Sequence, residues 1–523
     1  MRETATERLT YLMRRSLFAA STAATALTAA LSLALNTPAA AGAGRGHDPE
    51  PWVKRSAVMR ANPKDFHSLC RDHKDGVPER RTFPLFEHGK GFTAIEDFKR
   101  HEPNGTVFWS GHDPRHPENT ISVSVIGACT AGPVTLSGEI EAGFRQYLYK
   151  PLAKRPGRYL LQEIDALKLP PSGQGVDTVT APPTRSVKPH KPGLRIATPD
   201  NPAAIDIVVA YTPATVTELG SVAAVQSRID YGVNQLNRAL ATSYVPASVH
   251  VVNTYQTQAT GVARENAGTL LNMISNPANL TLGATAAAQR AAFGADLVAL
   301  IAAIPAEDSS GQANLPTPAG PTTSNNAFSV TSAFSITAWE NLAHEIGHNF
   351  GLQHDRKTVV DQGGTTPAGT DNYGFVTSDQ RHHTIMAYSS ACTRACTVVN
   401  QYSNTVNLLN GEALGDENNN NAGNATRAAE YLAGYRTSLV TNRVSLTMAS
   451  SPPAGGSLRP SEYGPYDPGT QVTVTVDTSP GFQFTGWQVD GVLQTDTTPN
   501  YTITMDAAHT ITAVFTPIPE PVR

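Results

Sequence analysis

The chain is 523 residues long, too long for one ordinary domain and sufficient for about three folded units. Hydrophobic residues make up 40% of it, ample for real cores, and the formal net charge of −4 excludes the basic surface a nucleic-acid partner would need. Gly (41) and Pro (38) are plentiful, which predicts many loops.

Arg14 and Arg15 precede an uncharged, Ala-rich run over 17–35, and the small residues at 39–43 suit a signal peptidase. Residues 1–41 therefore read as an export signal, with a twin-arginine route or an uncleaved anchor as the alternatives. Residues 42–170 read as β-rich, with alternating runs at 81–86, 106–111, 121–127, 134–138 and 159–165. Seven prolines crowd 171–203, directly after Pro170, so this is an exposed linker. Lys188, Lys191 and Arg195 make it cleavable, and the preceding unit is then a propeptide.

Residues 204–440 open a different pattern. Apolar runs at 205–212, 248–253 and 295–301 read as buried strands, with helices between them carrying Val225, Ile229, Val233, Leu236 and Leu240 at helical spacing, then 284–293. A β-α-β-α-β order calls for parallel strands. A further strand is expected at 327–331. Thr337 with Glu340 forms a capping-box pattern that starts a helix two turns before His344. The chain then reads His344-Glu345-Ile346-Gly347-His348-Asn349-Phe350-Gly351-Leu352-Gln353-His354-Asp355. Four-residue spacing puts His344 and His348 on one helix face, where they can hold one zinc ion. Gly351 can take positive φ and turn the chain so that His354 arrives as a third ligand. Three protein ligands leave a position open for water, as in a catalytic site. Glu345, beside the first ligand, can reach that water as a general base. The bland alternative is a soluble helix with scattered surface histidines.

Farther on, Met386 reads as packing beneath the site, and Tyr388 as either an oxyanion donor or a buried structural tyrosine. His382 and His383 read as loop residues, since three ligands already exist. Asp355 reads as a structural acid that holds the loop after His354 by hydrogen bonds. A closing helix is expected at 425–436.

Four cysteines in an exported chain fit two disulfides, Cys392–Cys396 and Cys70–Cys129. A CxxxC zinc site is one alternative. An unpaired Cys70 or Cys129 serving as an inhibitory thiolate ligand is another. Residues 443–517 alternate apolar and polar between turn signals and read as a small β-domain without a chemical site.

The motif at 344–355 resembles the metzincin zinc peptidases, and Asp355 after the third histidine is similar to the reprolysin branch. That resemblance implies a multidomain α/β (α+β) protein. Its catalytic domain would have a five-stranded mixed sheet over the zinc helix, preceded by a β-rich pro-region and followed by a small β-domain. The order of 109–111, 138–140 and 159–165 resembles reprolysin-like pro-regions. Residues 385–388 look like the methionine turn, although reprolysins usually lack a tyrosine at position 388, whereas astacins and serralysins have one. The combination is most similar to the bacterial peptidyl-Asp metalloendopeptidase group. The C-terminal unit, with its run at 480–487, resembles the β-repeat of bacterial surface proteins. The reading is a secreted zinc endopeptidase acting on proteins or peptides, with possible calcium in the Asn/Asp-rich loops and surface or matrix contact through the C-terminal unit. A surface adhesin and a zinc hydrolase of non-peptide substrates are the alternatives.

Overall fold

A computed structural model describes residues 51–518 apart from 72–78, 87–90, 102–104, 143–144, 153–154, 166–167, 169–196, 200, 220–221, 260–261, 263–264, 306–308, 317, 334 and 337–339. The stretch read as an export signal and most of the proline-rich linker thus lie outside the described residues.

The first unit is an eight-stranded antiparallel sheet of β1 (Val53–Arg60), β2 (Arg80–Pro84), β3 (Gly91–His101), β4 (Val107–Asp113), β5 (His116–Ile126), β6 (Thr135–Ala142), β7 (Arg145–Pro151) and β8 (Arg158–Ile164). Its order is β1-β8-β7-β6-β5-β4-β3-β2, a meander with the first strand folded back onto the last. Alternation explains its two faces. Trp109, Ile121, Val123, Val125, Leu136 and Tyr149 line one face and form a core. Ser110, Ser122, Ser124 and Ser137 lie on the other and are buried as well.

The second unit supplies the cover for that serine face. It begins with β9 (Ala203–Tyr211), followed by α1 (Pro213–Leu219), α2 (Val222–Thr242), β10 (Ala247–Gln256), α3 (Ala267–Ser275), α4 (Gly283–Ala292), β11 (Leu297–Ala302), β12 (Gly311–Ala313) and β13 (Phe328–Ser332). Sheet order is β10-β9-β11-β13-β12. The pairs β10–β9, β9–β11 and β11–β13 are parallel, and β12 is antiparallel to β13. The mixed five-stranded sheet is thus present. Helix α2 packs on one sheet face through Val225, Ile229, Val233, Leu236 and Leu240. On the opposite face α3 and α4 pack against Val298, Leu300 and Val330. The outer face of α2 meets the first unit: Tyr231 stacks edge-on against Phe108 at 5.6 Å, and Arg238 pairs with Asp97 at 3.4 Å.

The helix α5 (Asn341–Asn349) carries the histidines and packs beside α2, where Gly232 leaves room: a Cβ there would lie 2.8 Å from Leu342 Cδ2. This helix does not start two turns before His344. It starts at Asn341, and the residue before it, Glu340, is left-handed at φ 53°. The capping box fails because the Glu340 side chain turns into a buried polar contact instead, accepting from Gln235 Nε2 at 3.2 Å. Burial pushes that carboxyl up to about 8. Its backbone carbonyl still accepts from His344 N at 2.8 Å, and Thr337 lies outside the described residues.

Short elements follow: β14 (Gln353–Asp355), α6 (Arg356–Asp361), β15 (Tyr373–Gly374), β16 (His382–Thr384), β17 (Thr397–Val399), β18 (Leu408–Leu409), β19 (Glu412–Ala413) and α7 (Asn421–Ala433). The closing helix therefore begins four residues earlier than expected, because Asn420 caps it by accepting from Gly423 N. His382 and His383 are not loop residues: they form β16, paired in parallel with β17.

The last unit is a small sandwich. One sheet has the order β20 (Leu446–Ser451), β26 (His509–Pro517), β23 (Phe482–Val489) and β24 (Val492–Leu493). The other has β21 (Gly456–Pro460), β22 (Thr470–Thr478) and β25 (Asn500–Met505). Trp487, Phe515, Val472, Val474 and Met505 fill the space between. Arg443 anchors the entry to this unit by pairing with the buried Asp206 of β9 at 2.6 Å.

Candidate metal centre

Three imidazoles converge beside α5. His344, His348 and His354 are all buried, and each offers a ligand atom within 4.8 Å of the others. The four-residue spacing brings the first two onto one helix face. The third comes from β14, after the chain reverses at Gly351, whose φ is +84°. Gly351 N donates to His348 O at 2.8 Å and Leu352 N to Gly347 O at 3.2 Å, which closes the helix. A Cβ on Gly351 would stand 2.8 Å from Pro316 O, so both φ and space demand glycine.

Hydrogen bonds at the far side of each ring set the tautomers. His344 Nδ1 donates to Ile385 O and His348 Nδ1 to Leu352 O, both at 2.8 Å. His354 Nδ1 donates to Gln362 Oε1 at 3.1 Å. Each ring thus turns an Nε2 lone pair inward, and the Nε2 atoms of His344 and His354 approach to 3.2 Å. Burial, then His348 and His354, hold the His344 imidazole well below its ordinary range, so it stays neutral. Three nitrogen donors with backbone or amide partners behind them fit a zinc ion, and an open fourth position would follow.

Met386 is fully buried. A Cβ at Gly347 would be 2.6 Å from its Sδ, so the thioether occupies space that the helix glycine leaves. Tyr402 OH donates to Ala343 O at 2.8 Å and fills the adjoining space. The Tyr388 ring lies 4.4 Å from the His354 ring and 5.7 Å from that of His344. Asp355 ties these parts together. Its Oδ1 accepts from Thr358 N at 2.8 Å, capping α6, and its Oδ2 accepts from Thr358 Oγ1 at 2.6 Å and Tyr388 N at 3.1 Å. Glu345 is buried, its carboxylate lying against Gly311 on edge strand β12.

His382 and His383 stand apart from the triad. His383 is buried, and its Nδ1 donates to Thr384 O at 3.0 Å. All four cysteines are in disulfides, Cys70–Cys129 and Cys392–Cys396. No thiolate is available as a latency ligand, and the CxxxC pair is a disulfide and not a metal site. The second bridge closes the loop directly after Tyr388.

Two contributors carry no motif. Gln362 reaches His354 because Asp355 starts a short helix that returns the chain to the same side eight residues later. An Asp directly after the third histidine, followed by one helical turn, was the available signal. Gly311 meets Glu345 only through sheet packing, and nothing local in the sequence marks it.

Residues 201–420 match the family described as metallo-peptidase family M12B reprolysin-like, and residues 446–519 match the divergent InlB B-repeat domain. No curated protein matches. A solved structure described as a chaperone-substrate complex is similar at 19% identity and a TM-score of 0.35, over 45% of this chain and 39% of that one. This chain therefore spans well under half of that one, and the likeness is too slight to carry an argument.

Proposed function

We propose, from the premise that the chain carries a reprolysin-like metallopeptidase domain followed by a C-terminal repeat-like unit, that it is an exported zinc-dependent endopeptidase. The observation that carries this is the buried triad of His344, His348 and His354, with each Nδ1 engaged and the three rings converging beside Glu345. Bound there, zinc supplies Lewis acidity, which polarises a peptide carbonyl and makes water acidic near neutral pH. The chain's own groups do the rest. Glu345 takes the proton of the attacking water and delivers it to the leaving amine. Tyr388, stacked near His354, donates its hydroxyl to the developing oxyanion. Strand β12 ends the sheet order among the described residues, and an extended peptide would pair along its outer edge. The two disulfides suit an oxidising compartment, in keeping with export.

The test compares wild type with Glu345→Gln and Tyr388→Phe for bound zinc and casein hydrolysis. Zinc in all three, no hydrolysis by Glu345→Gln and a roughly tenfold or larger loss of kcat in Tyr388→Phe are expected. A wild type that holds no zinc overturns the reading.

A further inference from the structure

We infer that Gln362 is the positioning residue on which metal affinity at this centre turns: its amide oxygen decides which nitrogen of His354 carries the proton. The inference rests on the reading of the triad as a zinc site. Behind His344 and His348 the acceptors are main-chain oxygens, Ile385 O and Leu352 O, each 2.8 Å from Nδ1. No side-chain substitution removes them. Behind His354 the acceptor is itself a side chain, Gln362 Oε1 at 3.1 Å.

An imidazole must be neutral to bind a metal, and the one proton it then keeps has two places. On Nδ1 of His354 the proton faces Gln362, and the Nε2 lone pair is left for the ion. On Nε2 it would face His344 Nε2, 3.2 Å away, whose lone pair is turned inward because its Nδ1 donates to Ile385 O. That second arrangement turns one ligand into a donor and occupies the lone pair of another. The Gln362 oxygen stabilises the first arrangement against it.

Local structure holds the amide in place. Asp355 starts α6 by accepting from Thr358 N at 2.8 Å, and Gln362 closes it, its N–H donating to Thr358 O at 3.0 Å. Gly363 then turns at φ +81°, and its N–H donates to Val360 O at 2.9 Å. Across the contact, β14 pairs with β15, and Gln353 N donates to Asn372 O at 2.7 Å, which holds the backbone of His354. The His354 ring lies between those of Tyr388 at 4.4 Å and His348 at 4.8 Å. With both backbones held and the ring packed, the position of the proton is what Gln362 has left to decide. A carboxylate at this place would make the same contact more strongly and add negative charge behind the ring, which strengthens a metal-bound imidazole.

The experiment titrates zinc against a competing chelator in wild type, Gln362→Leu and Gln362→Glu. It adds urea midpoints of the metal-free chains and nitrogen NMR of protein labelled at histidine. Gln362→Leu should bind zinc about 10- to 100-fold more weakly, and Gln362→Glu at least as tightly as wild type. In the metal-free chain at alkaline pH, the His354 signal, assigned by its loss in His354→Asn, should show the proton on Nδ1 in wild type and on Nε2 in Gln362→Leu. Zinc affinity of Gln362→Leu within twofold of wild type would overturn the inference, as would equal losses in the leucine and glutamate variants or a proton that stays on Nδ1 in both chains. A loss of affinity matched by a lowered urea midpoint would place the effect in the packing of α6 and overturn it too. A wild type that takes up no zinc defeats the zinc-site reading, yet the position of the proton in the metal-free chains would still decide the role of Gln362.

Discussion

Replacing Asp355 with alanine removes three hydrogen bonds at once, from Thr358 N, Thr358 Oγ1 and Tyr388 N. Loss of a helix cap costs about 1 kcal/mol. Stranding the buried Tyr388 N–H costs about 1–3 kcal/mol more. The Thr358 hydroxyl can rotate to another acceptor, and removing a buried carboxylate returns some desolvation energy. The net expectation is about 3 kcal/mol of destabilisation. Because Asp355 follows His354 directly and holds the backbone of Tyr388, zinc should also bind about 10- to 100-fold more weakly. Asparagine should behave closer to alanine than to wild type: if its oxygen serves Thr358 N, its NH₂ faces the N–H of Tyr388. Urea unfolding of the full chain reads the first quantity, and competition with a chelator reads the second. A stability change under about 0.5 kcal/mol with zinc affinity within twofold would refute the view that this carboxylate joins the third-histidine loop to the methionine turn.

Gly347→Ala should destabilise the chain by about 1–3 kcal/mol, because its methyl would intrude on Met386 Sδ at 2.6 Å. Met386→Ala in the same chain should recover part of that loss, and strict additivity of the two urea midpoints would contradict the packing argument. In the C-terminal unit, His509 bridges Asp490 at 2.7 Å and Asp506 at 2.8 Å. Its hydrogen bonds to Asp490 and Asp506 raise its pKa above the ordinary 6.5. With the folded value above the unfolded one, the stabilisation is fully present below pH 6.5 and is lost as pH rises through the raised value. Proteolytic nicking at the turns near 490 and 506 should therefore quicken as pH is raised from about 6 to 8. His509→Gln should remove that pH dependence.

Much of the architecture follows from local pattern. Strands β9, β10, β11 and β13 are short apolar runs, and a buried parallel strand needs little else. The strands that periodicity passes over are β1, β3 and β7, and their residues explain why. Residues 53–60 and 91–101 carry lysine, arginine and acidic side chains, which dilute the alternation. The serines of β5 and β6 are the polar positions of the alternation, yet they are buried, because α2 from a distant part of the chain covers them. The start of α5 is another such case. Thr337 and Glu340 satisfy a capping pattern, but a buried contact with Gln235 competes for the Glu340 side chain and wins.

The sequence by itself determined the histidine cluster. His344, His348 and His354 depend on helix periodicity and one glycine turn, both short-range properties of the backbone. The place of Glu345 depends on the same few residues. Cysteine pairing was narrowed by number and spacing but decided by folding, which alone brings Cys70 within 5.3 Å of Cys129, Cα to Cα, across 59 residues. The supports of the site were likewise decided by tertiary structure. Gly311 meets Glu345, Asp355 meets Tyr388 N, and Met386 fills the space at Gly347 only once β12, β14 and the methionine turn close around α5. Those contacts join segments some thirty to forty residues apart. Their geometry is set by sheet register and side-chain volume, and neither leaves a periodic signal in the chain.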